Sequence, residues 1–97
     1  MRHQIFLNIF KSAKDVAQAT CSCIVVGNYT RAKRYFAWAE KMLREGTSLE
    51  KMAISNVFVY SLSITIDRLG QERSKVQDLL PPLLEREYCQ QINAFGS

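Results

Sequence analysis

GNYTRAKRYFAWAEKML, residues 27–43, is the stretch whose reading decides the fold. Ala32, Phe36, Ala39 and Leu43 recur at steps of three and four, the spacing of one face of an α-helix. The small side chains of Ala32 and Ala39 let a neighbouring helix approach closely. Tyr35, Trp38 and Met42 trace a second stripe, so this helix is apolar on more than one side. It is either sandwiched between two neighbours or presents an aromatic ridge to a partner. At its start, Gly27 suits the end of a preceding helix and Asn28 can cap the new one.

Upstream, Ile5, Phe6, Ile9, Phe10, Ala13, Val16, Ala17, Thr20, Cys23 and Ile24 keep the same helical period up to about Val26. Downstream, Thr47-Ser48-Leu49-Glu50 reads as a capping box, with Thr47 and Glu50 satisfying each other's backbone amides. The helix it starts is expected to bury Leu49, Met52, Ala53, Val57, Tyr60 and Ile64. Its second half, VFVYSLSITI, is β-branched and partly alternating, as a strand would be. Helix is preferred from Val57 to Ile66, because the cap leads straight into it and a lone strand would have no partner. An end near Leu69-Gly70, a short helical segment over Gln71–Leu80, a break at Pro81-Pro82 and a last helix with Leu84, Tyr88 and Ile92 on one face complete the chain. The expected fold is all-α, a single compact domain over residues 1–97 with four to five helices.

Two resemblances follow from these residues. Gly27, Tyr29, Ala32, Phe36 and Ala39 resemble the second-helix pattern of a tetratricopeptide repeat, which implies that the first two helices form an antiparallel hairpin of that kind. Roughly 34 residues further on nothing repeats it, so the likeness is local. The chain from about Lys14 onward is also similar to a family of small bacterial proteins known as a domain of unknown function. The resemblance is carried by Asn56-Val57-Phe58-Val59-Tyr60-Ser61 and by Leu80, Pro81, Leu84, Tyr88 and Gln91. It implies an all-helical fold and a bacterial source, and no activity.

Composition narrows the function classes. The 97 residues are 47% hydrophobic and 23% charged, with net charge +4. That balance suits a globular domain and excludes wholesale disorder. No run approaches the ~20 apolar residues of a membrane span, and Asn8 and Lys11 interrupt a signal-like start. A cytoplasmic protein with no membrane role is expected. Cys21 and Cys23, two residues apart on a helix, point about 200° apart and cannot readily chelate one ion. Cys89 is distant and His3 is the single histidine, so neither metal nor cofactor is expected.

No phosphate loop, nucleophile elbow or His-Glu-x-x-His motif is present. Glu40, Asp67, Asp78, Glu85 and Glu87 sit among Lys and Arg like exposed helix charges. The sequence therefore predicts a non-enzymatic protein-binding module, with an immunity or antitoxin-like inhibitor of a secreted toxin as the favoured kind. Its basic charge counts against a nuclease toxin as the target. The alternatives are an RNA-binding helical domain or an adaptor subunit. The expected contact residues are Arg31, Arg34, Tyr35, Trp38 and Lys41, which interleave positive charge with aromatic surface.

Overall fold

The hairpin turn at Gly27 sets the first half of the architecture. The computed structural model describes the backbone of residues 2–96 and the side chains of residues 8–93. Helix α1, Arg2–Val25, runs into Gly27, whose φ of 80° is left-handed. The Asn28 amide donates to the Cys23 carbonyl at 2.8 Å and the Gly27 amide to that of Ile24 at 3.1 Å. This pair of bonds is a Schellman motif, which satisfies carbonyls that the helix end leaves open. Asn28 then caps α2, Tyr29–Glu45, its side-chain oxygen accepting from the Arg31 amide at 3.3 Å. With so short a connection α1 and α2 fold back as an antiparallel pair. Ala13, Ala17, Thr20, Cys23 and Ile24 are buried on α1. Ala32, Phe36 and Ala39 are buried on α2, where small residues permit the close crossing. The expected Ile5 and Phe6 contacts and His3 lie outside the described side chains.

The capping box forms as expected. The Glu50 amide donates to Thr47 Oγ1 at 3.1 Å and the Thr47 amide to Glu50 Oε1 at 2.8 Å. It opens α3, Ser48–Ala53, which continues through a π-helical segment, Ile54–Phe58, into α4, Val59–Asp67. VFVYSLSITI is thus helical, in keeping with the expectation. The buried face differs from the expected stripe. Ala53, Ile54, Phe58, Val59, Leu62 and Ile66 are inside, whereas Met52, Tyr60 and Ile64 are 47%, 46% and 37% exposed. Two causes account for the difference. Met52 stands about 150° from the midline of Ala53 and Ile54 on a regular helix. The π turn then absorbs one extra residue, and a stripe counted at α period drifts by about 100° beyond it.

Gly70, with φ 61°, turns the chain into a 3-10 segment, Gly70–Glu72, and the short α5, Arg73–Gln77. Helix α6, Pro82–Gly96, starts at a proline, which needs no amide partner there. Pro81 before it has no side-chain oxygen to cap the first turn. Glu40 of α2 supplies that oxygen, accepting from the amides of Leu83 at 3.0 Å and Leu84 at 2.8 Å. Its negative charge also sits favourably at the positive end of the helix. Glu40 is therefore a tertiary cap and not the free surface charge the sequence suggested. Glu87 likewise accepts from Ser55 Oγ at 2.8 Å, and Gln77 Nε2 donates to the Tyr88 hydroxyl at 3.0 Å. Leu84 and Tyr88 are buried, as expected, while Ile92 is 40% exposed. The core is one cluster in which α2, the π segment, α4, α5 and α6 meet α1.

Candidate functional site

The outward face of α2 brings the expected contact residues together. At about 100° per residue, Arg31, Trp38, Arg34 and Lys41 fall within an arc of about 80°, with Tyr35 about 40° beyond Arg31. Arg31, Arg34 and Lys41 are exposed, and Tyr35 and Trp38 are half-buried. Both rings pack against the core, and the Trp38 ring meets Phe58 at a centroid distance of 6.3 Å and 56° tilt. Trp38 is thus partly a packing residue.

The electrostatics of this face follow from what its acids are doing. Helix α2 carries five bases and two acids. Glu45 pairs with Arg44 at 2.9 Å, and Glu40 is committed to the amides of α6. Among the described residues, no ion pair neutralises Arg31, Lys33, Arg34 or Lys41. The strip stays positive because the fold has used the neighbouring carboxylates elsewhere.

Beside Trp38 lies a cleft of about 260 Å³. Ile9 and Ala13 of α1, Trp38 and Met42 of α2, Ala53 at the end of α3 and Ile54 at the start of the π segment line it, with Asn8, Ser12 and Glu50 as its polar wall. The sequence did not show this cleft, because it depends on how three helices splay. A second groove, about 460 Å³, runs between α4, α5 and α6 along Tyr60, Ile64, Gln77, Tyr88 and Ile92. Asp67 and Arg73 stand in its wall as a loose exposed pair at 3.9 Å. Tyr60, Ile64 and Ile92 were expected in the core and instead form the apolar lining of this groove.

The cysteines are all free thiols: Cys23 buried, Cys21 half-buried and Cys89 exposed. Cys21 Sγ donates to the Ser61 carbonyl at 3.6 Å. Burial pushes its thiol above the ordinary value, and a hydrogen bond to Thr65 partly opposes that shift. No group of three or more metal-ligating side chains converges among the described residues. No helix among the described residues is long and apolar enough to cross a membrane.

An all-helical fold with a basic, aromatic helix face is the class of structure defined here. Residues 2–94 match a family described as a domain of unknown function (DUF7674), and the chain belongs to that family. Comparison with curated proteins and with solved structures gave no match.

Proposed function

We propose that this protein is a non-enzymatic protein-binding module whose α2 face docks an acidic patch on another protein. The observation that carries this reading is the unneutralised strip of Arg31, Arg34 and Lys41 around Trp38 and Tyr35. Charge of that kind steers an acidic partner, and half-buried aromatic residues supply binding energy once water is excluded. The likeness of the α1–α2 hairpin to a tetratricopeptide repeat supports the same reading, with Ala32, Phe36 and Ala39 turned inward. A protein partner is favoured over RNA because Trp38 leans on Phe58 and both aromatic residues pack against the core. Neither ring is then a free platform for a base.

Within this class, the favoured role is that of an immunity protein that binds and neutralises a bacterial toxin, acting in the cytoplasm; an adaptor subunit is the alternative. The double reversal Arg34→Glu/Lys41→Glu tests the module, since both side chains are exposed and the fold should survive. Wild-type protein should retain a protein partner from a lysate of the source organism, and the double variant should lose it. If that partner is a toxin, the variant should also fail to protect cells expressing it. Salt-sensitive binding to RNA, with no protein partner recovered, would replace this reading with nucleic-acid recognition.

A further inference from the structure

We infer that the cleft beside Trp38 is an anchor pocket that receives one large apolar side chain from an acidic segment of the partner protein. The inference rests on the protein-binding reading above. Three observations carry it. First, at about 260 Å³ the cleft falls below the ~300–1,000 Å³ of a typical small-molecule or cofactor site. A single inserted side chain suits that space better. Second, its walls are mostly apolar and come from three helices. Of its polar wall residues Asn8, Ser12 and Glu50, Glu50 is already engaged with the Thr47 amide. Third, its rim is basic on one side. Arg34 precedes Trp38 by one turn and Lys41 follows it by one turn, both about 40–60° to its solvent side, so a segment whose anchor enters the cleft lies beside two positive charges that no ion pair among the described residues neutralises.

The π segment adds a structural reason for the cleft's position. Its first residue, Ile54, is part of the lining, and its last, Phe58, holds the Trp38 ring. π turns cluster at functional sites because the extra residue re-aims side chains that a regular helix would turn away. Here the two ends of one π turn position the pocket and its aromatic wall. The partner therefore contributes a leucine- or phenylalanine-like anchor flanked by Asp or Glu. Such an anchor buried at the centre of an interface supplies a disproportionate share of its affinity.

The test is a selection of peptides from a random displayed library on the intact protein, followed by titration of the enriched sequences. Trp38 is the only tryptophan in the chain, so its emission reports directly on the cleft. Enriched peptides should carry one large apolar residue among acids and should shift Trp38 emission. Replacing that residue by alanine should weaken binding at least tenfold. Ser12 is exposed and lines the cleft; Ser12→Phe should fill the space and weaken binding at least tenfold. Loss of binding in Arg34→Glu/Lys41→Glu but not in Ser12→Phe would overturn the pocket and leave the basic face as the docking surface. Binding that survives both changes, or that is lost instead in Ile64→Ser, would overturn both. Failure to enrich any acidic, apolar sequence would also overturn the pocket, while retention of a protein partner by wild type and not by the double reversal would leave the docking face standing.

Discussion

The carboxylate of Glu40 holds the backbone amide of Leu84 at 2.8 Å, across a separation of 44 residues. A helix that begins Pro81-Pro82 cannot cap itself, so its first turn is closed from another helix. Glu40→Ala should therefore destabilise the protein by about 1–2 kcal/mol, the combined scale of a lost cap and a lost helix-end charge. Pro81→Asp, which places an acceptor at the local cap position, should recover much of that loss in the Glu40→Ala background. Denaturant unfolding of the two variants checks both statements. Equal stability of Glu40→Ala and wild type would remove the cap from the account.

Gly27 is the second point where one residue carries a turn. Its φ is +80°, and a Cβ built there would meet nothing within 4 Å. The cost of Gly27→Ala is then conformational and not steric, about 1–2 kcal/mol. Gly27→Asn should cost less, since asparagine tolerates the left-handed region. Thermal unfolding of the two variants should rank them in that order, with the helical content of each unchanged.

The α1–α2 crossing gives the largest expected effect. Ala32 has no exposed surface. Ala32→Glu places a carboxylate where no partner or water can reach it, and should cost more than about 3 kcal/mol and leave little folded protein. Ala32→Ser introduces a hydroxyl without charge and should be milder. Circular dichroism at 25 °C separates the two. A fully folded Ala32→Glu protein would show that the crossing is looser than described.

The thiols should react in an order set by access and desolvation. Cys89 is exposed and should be alkylated first. Cys21 is raised by burial, so less of it is thiolate at a given pH and its alkylation should be slower. The same shift has a stability consequence of definite sign. A thiol raised in the folded state holds its proton more tightly there. Its contribution is fully present below the unfolded value and is lost as pH rises from there through the raised folded value. Comparing Cys21→Ala with wild type between pH 7 and pH 10 isolates the effect. The stability gap between them should shift against wild type as pH rises.

Much of this architecture was legible in short-range pattern. Gly27, Asn28, Thr47 and Glu50 each act through bonds a few residues away, Pro82 acts through its fixed φ and missing amide, and each does in the structure what the sequence suggested. The inward residues Ala32, Phe36 and Ala39 were legible because α2 keeps one period throughout. Tyr60 and Ile64 were misplaced because an α period was carried through a π turn, which leaves no composition signal in ISNVF. Glu40 was misread because its partners are amides 43 and 44 residues away. A carboxylate among lysines looks alike in sequence whether it is solvated or buried against a helix end. That Arg31, Arg34, Tyr35, Trp38 and Lys41 share one face was legible from their spacing, but the cleft beside Trp38 required the relative tilt of three helices.

The π turn also bears on how chain length can vary in this fold. The Val59 amide reaches back to the carbonyl of Ile54, five residues earlier, so the segment Ile54–Phe58 accommodates one residue more than an ordinary turn. A related chain shorter by one residue at that place would close a regular α turn and keep the helices on either side facing as they do here. The same deletion a turn or two away, within Val59–Asp67, would rotate Leu62 and Ile66 out of register with α6 by about 100°. Ile54–Phe58 is thus the position in this long helix where a single-residue insertion or deletion is absorbed, and alignments of the family should concentrate their gaps there.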